Sequence, residues 1–454
     1  MTSFIAKTRE LFDRFDPKYV AFKRRVANFR YPSVKMGSLL SEPPEYGAGE
    51  AGIERLNDTT PRYIRITDID ENGELLPGLG MTAANVEPQY FLRDGDLLFD
   101  RSGNTVGKSY LHESERVSYP CFYAGYMIRF RFGEKVLPKY VFAFAQTPYY
   151  HEWVSAIQRS AGQPNINAQE YRNLEIPLPP LSEQRKIVAE LDAAYAAKRA
   201  ADEKATKLLA SIDDMVLNEL GIAKLPKPDT SLPSRIFTVP ASEIYNGRLD
   251  AYYYKGNFKE LNKKLFCCNC VPFGRLITEI YNGIDCRDYK ESGVPYLKVA
   301  NVKPGEFDFD DLKYIDSQEV GAKDIALRAG RMLLTRKGTF GNAIALNEDY
   351  DYAISSEVFC LSIKNELVDV HYLETFVNSS IGRMLCDKYK IGAIMGSLSQ
   401  EAVKALPIPL PDAKVQHRIA SRASSIRAEA RKLKADATAA LDAAKRKIES
   451  RIVE

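Results

Sequence analysis

IPLPPLSEQRKI, residues 176–187, returns as IPLPDAKVQHRI at residues 408–419. Pro177, Pro179, Gln184 and Ile187 recur as Pro409, Pro411, Gln416 and Ile419, each 232 positions later. Upstream, YIRITDIDENGE from Tyr63 is answered by YLKVANVKPGE from Tyr296, and GDLLFDRSGNTVG from Gly95 by GRMLLTRKGTFGN from Gly330, with the offset held between 232 and 235. The matches keep their order along the chain, which coincidence does not do. A period this long is a duplicated domain, because solenoid units run to a few tens of residues. The chain therefore presents two similar surfaces to a partner.

Each copy reads as three parts. A short helical lead comes first, RFDPKYVAFKRR from Arg14 and RLDAYYYKGNFKELNKK from Arg248, with Arg14, Asp16 and Tyr19 recurring as Arg248, Asp250 and Tyr253. A β-rich body follows, with β-branched and aromatic runs such as YIRITDI, DLLFD, GYMIRFRF, PYLKVANV, RMLLT and VFCLSI bounded by Gly, Asn and Asp. Within it PKYVFAFAQTPYYHEWV, answered by VHYLETFVNSSIGRMLC, reads as helix. Each body ends in the Pro-rich stop, which runs into a long helix. In the first copy Ser182 stands where an N-cap is expected, before Glu183 and Gln184.

Both long helices carry a three-four spacing of small and apolar residues: Ile187, Leu191, Ala194, Lys198, Ala201, Ala205, Leu208, Ile212 and Met215 in the first, and Ile419, Ala423, Ile426, Ala430, Leu433, Ala437, Ala440 and Ala444 in the second. Each would be roughly 50 to 60 Å long at 1.5 Å per residue. Such seams are expected to bury against each other. Residues 182–219 hold six Lys and Arg against eight Asp and Glu, and residues 414–451 hold eleven against four, so unlike charge favours pairing the two helices. The fold expected is α+β: two similar β-rich domains joined by two long helices in an antiparallel coiled coil, with a pseudo-twofold internal repeat. The expected boundaries are 1–180, 181–220 for the first helix, 221–247 for a linker, 248–411, and 412–454 for the second helix.

The 454 residues, 45% of them apolar, supply two ordinary cores. No run of 18 apolar residues and no signal-peptide pattern occurs, so a soluble cytoplasmic chain without membrane contact is expected. Seven cysteines are scattered, and the cluster Cys267, Cys268 and Cys270 lacks the second ligand pair that tetrahedral zinc requires. No metal site is expected. A net charge of +3 neither demands nor forbids nucleic acid.

Catalytic patterns fail. Residues 103–109, GNTVGKS, place three residues between the glycines where a phosphate loop needs four, and the second copy has Gly341-Asn342-Ala343 in place of the Lys and Ser. His112, His151, His371 and His417 share no ligand spacing, and nucleophile-elbow, zincin-helix and dinucleotide-loop patterns are missing. With no catalytic residue to assign, a binding protein is expected. The loops after the strands carry cations and amides, namely Arg101, Ser102, Asn104 and Lys108 in the first body and Arg336, Lys337 and Asn342 in the second; Arg159, Gln163 and Asn165 lie in a polar loop before the first stop. Arg, Asn and Gln read base edges, while Lys, Ser and backbone amides hold phosphates. Arg101 and Arg336 stand out because both copies place Arg there.

IPLPPLSEQRKIVAEL after a β-rich body, the GDLLFDRSG turn, the RLDAYYY lead and the twofold repetition with two long helices resemble the specificity subunit of type I restriction-modification systems. The resemblance covers essentially the whole chain. It implies that each body is a target-recognition domain reading one half of a split duplex DNA sequence. The helices, through residues such as Ile187, Leu191, Leu208, Ile212, Ile419, Ile426 and Leu433, would set the gap. It also implies docking of two modification subunits that carry S-adenosylmethionine, with restriction subunits carrying ATP and Mg; this chain would bind no cofactor. PLPDAKVQHRI in the second copy departs from the family's PLPPLSEQRKI. Rival readings are the recognition subunit of a combined nuclease-methyltransferase system, a protein-interaction scaffold and, furthest off, an enzyme in its own right.

Overall fold

The apolar runs LLFD and RMLLT serve two cores at once, because successive side chains on a strand point to opposite faces. In the computed structural model Leu97 and Phe99 enter a core shared with helices, while Leu98 enters a second one with Tyr63 and Phe122. Met332 and Leu334 likewise part from Leu333. Burial on both faces explains why these strands read as continuous apolar runs without alternation. The structure describes residues 17–25, 29–158, 164–225, 229, 231–232, 234, 236–244, 248–266, 268–321, 327–392 and 396–453.

The chain divides into two compact units, Met1–Asp202 with Lys434–Glu454, and Glu203–Leu433, so the division cuts both long helices rather than falling at their starts. In the first unit Glu45–Tyr46, Met127–Phe130, Leu97–Asp100 and Ser109–Leu111 form an antiparallel sheet in that order. A second sheet runs Ile53–Glu54, Met81–Thr82, Arg62–Ile64, Cys121–Tyr123, its last pair parallel. The second unit repeats the plan: Ile277–Asn282, Val358–Ile363, Arg331–Thr335 and Ala343–Ala345 form one sheet. Lys313–Ile315, Val294–Leu297 and Ala353–Ile354 form another, again ending in a parallel pair. The expected internal helices are Pro138–Phe144 and Pro148–Ile157, answered by Val370–Asn378 and Ser380–Tyr389.

The Pro-rich stop is an edge strand, where the missing N–H of proline is tolerated. Glu175–Pro177 pairs with Ser33–Lys35, and Pro407–Pro409 with Cys270–Pro272. The repeated glutamine closes each body. Buried Gln184 accepts from Leu137 N at 2.9 Å and donates to Pro179 O at 2.9 Å; Gln416 accepts from Asp369 N at 2.9 Å and donates to Pro411 O at 2.8 Å. Tyr140 and Tyr372 donate to Pro177 O and Pro409 O at 2.6 and 2.7 Å. The motif that decided the fold is thus a set of side chains satisfying backbone groups that would otherwise be buried unpaired. The RLDAYYY lead has the same character, since Arg248 donates to Tyr389 O and Lys390 O at the end of helix Ser380–Tyr389. Arg14 and Asp16 lie outside the described residues.

The long helices are Leu181–Glu219 and Ala413–Ile452. In the first unit Glu183 and Glu190 pair with Arg451, and Glu190 also with Lys447; in the second, Glu219 pairs with Arg418 and Arg422. The start of one helix meets the end of the other, so the pair is antiparallel and the opposite charges of the two sequences are used. Basic neighbours hold the Glu183, Glu190 and Glu219 carboxyls below their ordinary range, Arg451, Lys447 and Arg418 respectively contributing most.

Three details differ from expectation. The first helix begins at Leu181 with Pro180 O accepting from Glu183 N, which places Ser182 inside the first turn and not at the cap. The second is capped, by Asp412 accepting from Val415 N at 2.9 Å. The seam residues also pack on the domains and not merely on each other: Ile187, Leu191, Tyr195, Leu441, Ile448 and Ile452 belong to the first unit's main core. Beyond Ala437 the buried stripe moves to Leu441, Lys445, Ile448 and Ile452, leaving Ala440 exposed. An unsupercoiled helix drifts this way from a strict seven-residue repeat. Among the described residues no helix is long and apolar enough to cross a membrane.

Candidate nucleic-acid interface

Strand Leu97–Asp100 ends at a turn that the structure fixes from three sides. Arg101 N donates to Tyr126 O at 3.0 Å, Ile166 N donates to Arg101 O at 2.9 Å, and Ser102 bridges to Asn165. The 101–108 turn and the segment before the Pro-rich stop, separate in sequence, therefore form one surface. In the second unit Arg336 N donates to Glu357 O at 2.9 Å, Leu398 N to Arg336 O at 2.8 Å, and Lys337 bridges to Ser397.

Each arginine also lies against an aromatic ring, on the edge strand in the first unit and on the neighbouring strand in the second. The Arg101 guanidinium lies 5.0 Å from the Tyr46 ring centre and that of Arg336 5.1 Å from the Phe359 ring. Each has a buried Nε without a hydrogen-bond partner. Both side chains are half-buried. Arg336 Nη1 donates to Ser356 O at 3.4 Å, and the remaining outer N–H groups of the two guanidinium ions are those that would meet an acceptor brought from outside.

The turn itself is built around Asp100, whose buried carboxylate accepts from Thr105 Oγ1 at 2.7 Å and Ser102 N at 3.3 Å. Burial raises its pKa against those bonds. Gly103 and Gly107 have φ of 87° and 90°, and a Cβ at Gly107 would meet Val154 at 2.6 Å. The amides of Gly103, Val106, Gly107 and Lys108 all donate to protein carbonyls, so these four are not presented to a phosphate.

Several expected contacts change role. Lys108 Nζ donates to Ile69 O at 2.7 Å, which ties one of its three N–H groups to the scaffold. Asn342 is 4% exposed, with its amide donating to Val302 O at 2.7 Å; it supports the turn from inside and does not reach a ligand. Asn104 is exposed, Ser102 and Asn165 are half-buried beside Arg101, and Lys337 stands 3.9 Å from Glu357. Arg159 and Gln163 lie outside the described residues. Of the helix positions, Ile187, Leu191 and Ile419 are buried, and Leu208, Ile212, Ile426 and Leu433 half-buried. Cys268 and Cys270 are free thiols, Cys270 pushed up to about 11 by burial, and Cys267 is not described.

The sequence reading missed the residues flanking each arginine: Tyr46 and Tyr126 in the first unit, Asn282 and Glu357 in the second. Tyr46 pairs across the ladder with Ile128 as Asn282 does with Phe359, so the two sets occupy corresponding places. Their identities differ between copies, and a repeat search registers only what recurs.

A family model for the type I restriction modification DNA specificity domain matches residues 70–207 and 283–440. The EcoKI specificity subunit of Escherichia coli K12 is 23% identical over 72% of this chain and 65% of its own length; the EcoBI specificity subunit of Escherichia coli is 22% identical over 63% and 58%. The chain thus spans less than two thirds of the length of these curated relatives. A solved chain described under "Structural basis underlying complex assembly and conformational transition of the type I R-M system" is 16% identical, covering 94% of this chain and 97% of its own, with a TM-score of 0.46.

Proposed function

This chain belongs to the type I restriction modification DNA specificity family, which it matches twice along its length, and on that footing we propose that it reads a bipartite DNA target with one body per half-site. The observation that carries the proposal is the arginine turn, built twice with matching backbone bonds, a guanidinium beside an aromatic ring and an Nε without a hydrogen-bond partner. Two modules on one chain bind as a unit only when both half-sites lie at a separation the chain can span. The antiparallel helices supply that separation and offer their outer faces to modification subunits.

The chain itself is the non-catalytic member of the complex. Two modification subunits would bring S-adenosylmethionine, and restriction subunits ATP and Mg, in the cytoplasm where DNA and reduced thiols occur together. The test is sequencing of methylated adenines in cells with and without this chain, its genomic neighbours intact. Loss of a single split motif on deletion is the expected outcome. An unchanged set of methylated sites in cells that express the locus would overturn the proposal, as would DNA affinity insensitive to salt, since phosphate contacts impose a steep dependence.

A further inference from the structure

The hydrogen bonds that fix the two arginine turns allow them to be compared position by position. Arg101 answers Arg336, and the residue after each bridges to the segment before the stop. The residue whose carbonyl receives each arginine's N–H is Tyr126 in one unit and Glu357 in the other. Around an unchanged arginine the neighbours therefore change together: Ser102 and Tyr126 in the first body, Lys337 and Glu357 in the second. Tyr126 is 64% exposed, and the Lys337 and Glu357 side chains are 45% and 47% exposed.

A side chain that is the same in two bodies reading different half-sites suits what both half-sites share, the phosphate backbone. Side chains that differ at matched places suit what distinguishes the half-sites. Lys337 and Glu357 face each other at 3.9 Å across open solvent, a weak pair that costs little to part. Lysine donates to O6 and N7 of guanine, and glutamate accepts from N4 of cytosine; one G·C pair presents both in the major groove.

We propose that Arg101 and Arg336 are sequence-independent phosphate anchors, that the flanking pair 102/126 and 337/357 is the base reader, and that Lys337 with Glu357 reads a G·C pair in the second half-site. This rests on the DNA-recognition reading above. Ser102 with Tyr126 carries no charge and makes no such demand on the first half-site.

The test is competition binding by the chain complexed with its modification subunits, using duplexes in which each half-site base pair is varied in turn. The native complex is expected to prefer G·C about tenfold at one position of the second half-site. The double variant K337S/E357Y loses that preference and keeps its discrimination in the first half-site, which also reports that it is folded. The reciprocal S102K/Y126E gains a G·C preference in the first half-site, and Arg336→Ala weakens all duplexes alike while lowering the salt slope. Retention of the G·C preference by K337S/E357Y, or a uniform loss like that of Arg336→Ala, would overturn the assignment. A native complex indifferent to every base pair would instead sink the DNA-recognition reading itself.

Discussion

Phe142 and Tyr195 in the first unit pack ring to ring at 6.3 Å; 232 positions on, the same two places hold Glu374 and Arg427, an ion pair at 2.6 Å. A second site shows the same freedom. Asp213 accepts from Ser380 N at 2.7 Å in the second unit, whereas the first has Pro148, which lacks the N–H, and Lys445, which turns to Asn72 at 2.8 Å. By contrast Gln184 and Gln416, or Tyr140 and Tyr372, make matching bonds in both units, Gln184 adding a longer one to Lys135 O at 3.4 Å. The difference follows from what each group serves. A backbone N–H or C=O has a position set by the fold and needs one kind of partner, while two side chains need only complement each other.

The comparison breaks most sharply at the buried pair. Arg427→Met leaves Glu374, 3% exposed, without its cation and with only the Ala345 amide donating to it, at an expected cost of about 3–5 kcal/mol by chemical denaturation. Installing the first unit's solution, Glu374→Phe with Arg427→Tyr, should recover most of that loss. A single variant costing under about 1 kcal/mol would show that the two solutions are not equivalent supports.

A difference in pH response comes next. Burial pushes Lys388 down to about 8, against about 10.4 for a free lysine. Its ammonium donates to Asn262 at 2.7 Å with the Tyr253 and Tyr389 rings beside it, and the first unit has Ala156 in its place. The folded state binds fewer protons than the unfolded one between these values, so the second unit loses stability as pH falls from about 10 to about 8, by up to about 3 kcal/mol, and no further below. Unfolding curves of the native chain and Lys388→Met across that range check this; parallel pH profiles would refute it.

The shared contacts should respond alike. Gln184→Leu and Gln416→Leu each strand a buried N–H and C=O, for about 2 kcal/mol apiece. Unequal losses would mean that the two closures, though drawn alike, carry different loads. Tyr140→Phe and Tyr372→Phe, measured in the same way, should each cost about 1 kcal/mol, the smallest of the four effects and again equal in both units.

Much of the architecture was legible from residues 176–187 and 408–419, because groups that satisfy fixed backbone positions recur wherever the fold recurs. The same logic paired Arg101 with Arg336, which stand in matching turns. It did not reveal that Lys108 and Asn342, polar residues in loops, donate to the Ile69 and Val302 carbonyls of the scaffold. It could not find Tyr126 or Glu357, since they share neither type nor motif. The helical seam was right in its first turns and drifted by Leu441, where the pitch of a straight helix overtakes a seven-residue count.

Composition, spacing and repetition thus sufficed for the duplicated α+β plan, the two long helices and their opposite charge, because these depend on local periodicity and on sums over many residues. Which loop lies against which arginine, which polar groups face inward, and where an ion pair stands in for two rings depended on the packed chain. Those contacts join residues dozens to hundreds of positions apart, and nothing in local spacing encodes such a meeting.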